Sequence, residues 1–208
     1  DPYFSFDLGR GLFLKGLLVC HFIAFASLGW QVTALLGAQG IVPVGTFLEK
    51  IKGYFKRTSR LSLWFRLPTF FWFYCTDSFI RSHCLMGMGL SVLGFFDLLP
   101  VWVVLLISYF LYLSLLVVGV PFLSFQWDSL LLEMSILGVI LCWFNPIPIW
   151  VGFLLWIVVF KLFVSSGFLK LLSGDKHWRS LTALRYYFET QPLLIDWRGI
   201  VINCPVLF

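Results

Sequence analysis

The chain has 208 residues, of which 60% are hydrophobic, 20% aromatic and only 12% charged. A soluble domain carries about 25% charged residues, so the charges here are too few to cover a water-facing surface. Together with a mean hydropathy of +0.94, this predicts an all-α, polytopic helical membrane protein with about five transmembrane helices and one interfacial or re-entrant segment.

The formal net charge of +5 comes largely from two basic clusters. Lys50, Lys52, Lys56, Arg57, Arg60 and Arg66 lie in one loop, and Lys170, Lys176, Arg179, Arg185 and Arg198 in the C-terminal segment. This pattern reads as topology and contact with lipid headgroups. No stripe of alternating aromatic and basic residues lies outside the membrane to stack bases, so no nucleic-acid partner is expected.

In chain order, Asp1 stands where an initiator Met is usual, which reads as a piece of a longer polypeptide. Leu12 to Leu36 is the first span, with Lys15 and His21 in its first half and Gln31 near its end. A lone histidine in a span reads as a hydrogen-bonded core residue. Gly37, Gly40 and Pro43 open the basic loop, 37–66. Leu67 to Ile80 is aromatic-rich but short, broken by Pro68 and interrupted by Asp77, and predicts an interfacial or re-entrant piece.

Cys84 to Leu99 is the second span, ended by Asp97 and Pro100, and Val101 to Val120 the third. Pro121 suits the first turn of a fourth helix that runs to Trp143. Asn145-Pro146-Ile147-Pro148 is a tight turn, and Ile149 to Ser166 is the fifth span, carrying Lys161. The organisation expected is a transmembrane domain over 1–166, an amphipathic extramembrane segment over 167–192 and a tail over 193–208. In the amphipathic segment Gly174 ends one helix and Asp175 caps the next. Trp178, Leu181, Leu184 and Phe188 then recur at helical spacing, with Arg185 and Glu189 four residues apart on the wetter face.

Five spans put the termini on opposite sides. The six basic residues of the loop and the five of the C-terminal segment then share one side, against Arg10 and Lys15 on the other. The positive-inside rule assigns the richer side to the cytoplasm. A sixth crossing at Leu67 to Ile80 would break that parity.

The five cysteines (Cys20, Cys75, Cys84, Cys142, Cys204) include no C-x-x-C pair. They define neither a zinc site nor a disulfide framework, and Cys20 and Cys142 read as small hydrophobes inside spans. There is no H-E-x-x-H, no G-x-S-x-G and no phosphate-binding glycine loop. No metal and no cofactor is expected, and no catalytic residue is assigned.

What chemistry the sequence offers lies in the fourth and fifth spans. Gln126, Ser129 and Glu133 share one helical stripe, and Asp128 points roughly 160–200° away from it. Lys161, roughly 18 Å into its span, matches the depth of Glu133, roughly 15 Å from Trp143. A carboxylate at the bilayer centre costs roughly 2.5–3.5 kcal/mol. Two readings follow. One is a buried site that handles a substrate or proton. In the other, a Glu133–Lys161 pair fixes helix register while Asp128 caps a helix near the interface.

Several runs together carry a family resemblance. These are Phe122-Leu-Ser-Phe-Gln126-Trp127-Asp128-Ser-Leu-Leu-Leu-Glu133, Phe160-Lys161, and Ser166-Gly-Phe-Leu-Lys-Leu-Leu-Ser-Gly-Asp175. They continue with Trp178-Arg179-Ser-Leu-Thr182-Ala-Leu184 and Glu189-Thr190-Gln191-Pro192. The chain resembles the lipase maturation factor family from about Gly9 to Pro192.

The resemblance implies a multi-pass protein of the endoplasmic reticulum membrane, or of the cell inner membrane for a bacterial relative. Similar proteins help newly made dimeric lipases fold and assemble, as client-binding, chaperone-like factors and not as enzymes. The partners implied are membrane lipids and a client lipase, the oligomeric state being left open. Asp175, Trp178, Arg179, Thr182, Glu189, Gln191 and Pro192 are then candidates for contact with client or headgroups.

More distantly, the helical part is similar to the membrane domain of vitamin K-dependent carboxylases. That similarity keeps an integral-membrane enzyme or transporter as the alternative. The chain departs from the family pattern after Pro192, where Leu193 to Arg198 replace a proline-rich turn. The family's large extramembrane C-terminal region is absent from these residues.

Overall fold

Lipid offers backbone N–H and C=O groups no partners, so long apolar runs satisfy them internally as helices. The computed structural model describes the backbone of residues 2–55, 60–184 and 186, and the side chains of 7–55, 63–184 and 186. The described elements are helical: α1 (Pro2–Leu36), α2 (Val44–Tyr54), α3 (Arg60–Arg66), a 3-10 turn (Phe70–Trp72), α4 (Asp77–Phe95), α5 (Val101–Val118), α6 (Gln126–Trp143), α7 (Ile149–Leu172) and α8 (Lys176–Arg179). The chain divides into two compact units, Asp1–Gly152 and Phe153–Phe208.

Among the described residues, four segments are long and apolar enough to cross a bilayer: Asp7–Leu36 of α1, then α5, α6 and α7. The remaining expected span corresponds to α4, whose first two turns carry Asp77, Arg81 and His83. Those polar residues dilute its hydropathy. Even so, both of its ends bond α1 or the residue just past it. Past the end of α1, the Ala38 N–H donates to Asp77 Oδ1 at 2.7 Å, at the start of α4. At the other end of α4, the Lys15 ammonium of α1 donates to Asp97 Oδ2 at 2.5 Å and to the Phe95 carbonyl. From Lys15 to Ala38 the helical rise is roughly 34 Å, close to the ~30 Å hydrocarbon core. α4 therefore runs antiparallel to α1 through the same depth.

Small residues let these two helices approach closely. A Cβ on Gly87 would sit 2.5 Å from the Phe25 ring, and one on Gly29 would sit 3.1 Å from Cys84 Cβ. Such contacts drive helix association where lipid supplies no hydrophobic force. Phe25, Leu28 and Val32 of α1 pack with Ile80 and Cys84 of α4 and Leu111, Tyr112 and Leu115 of α5. A second cluster joins Leu17 and Leu18 to Val104, Leu105 and Val139. α6 is antiparallel to α1 as well, since Arg10 Nη1 donates to the Phe144 carbonyl at 3.1 Å, just past the end of α6. Arg10 and Lys15 thus each meet a helix C-terminus, where the last carbonyls are orphaned and the dipole is negative.

Several expected boundaries move. α1 begins ten residues before Leu12, because nothing from Pro2 onward breaks a helix. The basic loop is not wholly irregular: α2 is amphipathic and buries Val44 and Leu48, and α3 closes the loop. The fourth span starts at Gln126 and not at Pro121. Pro121 lies in a turn where the N–H groups of Phe122 and Leu123 both bond the Gly119 carbonyl.

The 67–76 segment is irregular apart from its 3-10 turn, and it is anchored on α5. Thr69 Oγ1 donates to the Ser114 carbonyl at 3.1 Å, and the Phe70 N–H donates to Ser114 Oγ at 3.1 Å. Thr69 and Phe71 are buried. Irregular backbone near membrane depth is tolerated where protein covers it.

In the second unit α7 continues to Leu172, past Ser166. Gly174 takes a φ of 79°, a left-handed conformation that glycine adopts without steric cost. Asp175 then caps α8, its Oδ1 accepting from the His177 N–H at 2.9 Å. The expected helix from Trp178 onward is interrupted after Arg179, and helical backbone resumes at Ala183 and Leu184. α8 ends at Arg179, and Leu181 takes a φ of 59°. Here a turn wins, closed by the Thr182 N–H donating to the His177 carbonyl at 2.9 Å. Phe188, Glu189, Gln191, Pro192 and the Arg185 side chain lie outside the described residues, as does the 193–208 tail.

Candidate functional site

The run Gln126-Trp127-Asp128 opens α6, and its geometry is set by Asp128. Its carboxylate, only 2% exposed, sits three residues after Phe125, the residue that precedes the helix. Asp128 Oδ2 accepts the Phe125 N–H at 3.1 Å, satisfying a donor that a helix N-terminus leaves open. Oδ1 accepts the Tyr112 hydroxyl at 2.6 Å. A buried carboxylate is stable when its oxygens are bonded in this way, and the second bond ties α6 to α5.

One level deeper, His21 of α1 meets Ser135 of α6, with Nε2 and Oγ 2.7 Å apart. Ser135 Oγ donates its one proton to the Leu131 carbonyl at 2.6 Å, so His21 supplies the proton of the pair from Nε2. His21 is fully buried, between the rings of Phe25, centroids 6.0 Å apart, and Tyr112, 6.5 Å apart. It is the hydrogen-bonded core histidine expected from sequence. Two polar bridges, Tyr112–Asp128 and His21–Ser135, thus tie α6 to the rest of the bundle.

Beside them α1, α6, Tyr112 and the turn before α6 line a cleft of about 590 Å³. Ligand pockets span roughly 300–1,000 Å³. On α1 the lining falls on one face, at Leu17, Cys20, Ala24, Ser27 and Gln31. On α6 it falls on Trp127, Asp128, Leu131 and Met134. Cys20, Ser27, Gln31 and Trp127 are exposed, so the cleft is open along its side. Phe125 and Trp127 stack in parallel at its end, with ring centroids 4.6 Å apart.

The residues singled out from sequence are brought together only in part. Trp127 and Asp128 share the cleft, while Gln126 is exposed and does not line it. Glu133 is half-buried on α6 in the first unit, and Lys161 lies exposed on α7 in the second. Asp175 is spent on its cap. Trp178 receives the Lys170 ammonium 4.8 Å from its ring centroid. Arg179 Nε donates to the Leu171 carbonyl at 3.3 Å, and Thr182 Oγ1 bonds Ser180 Oγ at 2.8 Å. These residues fold α8 back on the last turns of α7. Tyr112, Ser135 and Cys20 were not singled out from sequence. Tyr112 and Ser135 sit in largely apolar helices with no local pattern to mark them, and Cys20 reads as a small hydrophobe. Among the described residues, no cluster of His, Cys, Asp and Glu is placed to hold a metal.

Comparison with known proteins gives this helical bundle its relatives. Residues 8–196 match the family model described as the lipase maturation factor transmembrane domain. Lipase maturation factor 2 of Xenopus tropicalis is 36% identical over 200 residues, covering 88% of this chain and 28% of the relative. Lipase maturation factor 1 of Homo sapiens is 29% identical over 206 residues, covering 91% of this chain and 35% of the relative. The chain thus spans about a third of the length of the curated relatives it matches. No solved structure matches it significantly. With the family's membrane domain aligned from Leu8 to Asp196, this chain belongs to the lipase maturation factor family.

Proposed function

We propose that the chain serves as a membrane-embedded, chaperone-like factor in the maturation of secreted lipases, residing in the endoplasmic reticulum membrane. The observation that carries this reading is the family match over residues 8–196. The geometry supports a scaffold over a site of chemistry. Both oxygens of Asp128 are occupied in capping α6 and holding Tyr112, and the His21–Ser135 bridge is enclosed.

The physical task would be to hold a partly folded client at the membrane surface and shield its apolar area until assembly. The segment 173–192 is the contact surface, with exposed Asp175 and Arg179 beside Trp178.

The test is expression of the chain in secretory cells lacking their own lipase maturation factors, together with a secreted dimeric lipase. Co-purification of the lipase from detergent-solubilised reticulum membranes is expected, weakened by Trp178→Ala with Arg179→Ala. A lipase that never co-purifies, with the chain at normal membrane levels, would overturn the reading.

A further inference from the structure

We propose that the side cleft between α1 and α6 holds one acyl chain of a zwitterionic phospholipid, with the lipid's ammonium headgroup at the Trp127–Asp128 end. The depth of the cleft follows from contacts already described. Arg10 meets Phe144 and His21 meets Ser135, so Gln31 near the end of α1 shares a membrane surface with Asp128 at the start of α6. From Gln31 to Leu17 the lining of α1 descends roughly 21 Å. That is somewhat more than one leaflet of the ~30 Å hydrocarbon core.

Polarity falls along that descent. Gln31, Trp127 and Asp128 stand at the surface end, and Leu17 and Met134 at the deep end. A molecule suited to this gradient has a polar head at the interface and a hydrocarbon tail. The open side gives such a molecule a path in from the bilayer.

The sign of the headgroup follows from charge. Among the lining residues the one ionisable acid is Asp128, and there is no Lys or Arg. Asp128 is buried with both oxygens bonded, so it acts on a headgroup through its charge and not by direct contact. Trp127, 65% exposed, offers the indole face that attracts quaternary ammonium groups. An anionic head would meet the Asp128 carboxylate with no cation among the lining residues to offset it. The site concerns lipid and not client, so it stands or falls separately from the maturation role.

The test is native mass spectrometry of the full chain released from a mild detergent, after exposure to dioleoylphosphatidylcholine or dioleoylphosphatidylglycerol. No lipase is present. One phosphatidylcholine per chain is expected, in preference to phosphatidylglycerol. Ser27→Trp, which fills the cleft from an exposed position, should lower retention about tenfold. Trp127→Ala should narrow the preference for phosphatidylcholine without changing the circular dichroism of the protein. Equal retention of the anionic lipid overturns the headgroup assignment. Retention untouched by Ser27→Trp would mean annular lipid only, and no retained lipid would mean that protein closes the cleft. Either result removes the site.

Discussion

The Tyr112 hydroxyl donates to Asp128 Oδ1 at 2.6 Å across the α5–α6 interface, with both side chains almost fully buried. The same carboxylate caps α6 through the Phe125 N–H. One side chain therefore holds a helix start and a helix pair together. Tyr112→Phe removes only the bridge, and should cost about 0.6 and at most ~1.7 kcal/mol, the range for hydrogen bonds between membrane helices. Asp128→Ala strands two donors, at about 1–3 kcal/mol each, and should cost more than Tyr112→Phe. Thermal unfolding in detergent micelles measures the order. Equal losses from the two variants would show that the cap contributes nothing.

Gly87 allows α4 to lie against Phe25. Gly87→Leu should destabilise the protein by about 1–3 kcal/mol, the usual cost of overpacking. Adding Phe25→Ala opens space where the new side chain clashes, so the double variant should be more stable than the sum of the two single losses predicts. The unfolding midpoints of the three variants give the coupling, and strict additivity would argue against the contact.

Lys15 meets the end of α4 from a half-exposed position, and Asp97 is 70% exposed. Lys15→Gln should therefore cost no more than about 1 kcal/mol. The loss should shrink as salt rises, because exposed charges are screened. A loss of several kcal/mol that ignored salt would place the ammonium in a drier setting.

On the proposed maturation role, and with neither Glu133 nor Lys161 taking part in chemistry, neutralising both charges leaves that role in place. Glu133→Gln with Lys161→Met should still insert at normal membrane levels and still support secretion of active lipase. Lipase activity in the medium, normalised to membrane content, is the measurement. Normal insertion with lost lipase support would assign the pair a working role.

The spans were legible because apolar runs bounded by Pro and Gly leave few alternatives, and α5 lies almost where its composition puts it. For Asp128 the Phe125–Glu133 run left two readings open, a helix cap or a buried site for substrate or proton, and the bond to the Phe125 N–H is what identifies a cap. The start of α6 was misplaced because Pro121 fits a first helical turn equally well, and only the Asp128–Phe125 bond selects the later start. His21–Ser135 bridges 114 residues of sequence and Tyr112–Asp128 joins two helices. Neither partner choice is written in local spacing. Depth matching between helices, as between Lys15 and Asp97, likewise needs the folded chain. The periodicity that begins at Trp178 gave no sign of the turn at Leu181, because spacing alone carries no information about a left-handed residue.

The pairing of α4 along its whole length with α1 bears on how the protein is made. α4 bears an acid, a base and a histidine in its opening turns and is a poor candidate to partition into lipid alone. α1 is synthesised first and presents Gly29 and the Asp97-binding ammonium to it, so the two should leave the translocon as a hairpin. Biogenesis of the bundle would then be ordered, with the first helix retained at the insertion site until the polar one arrives.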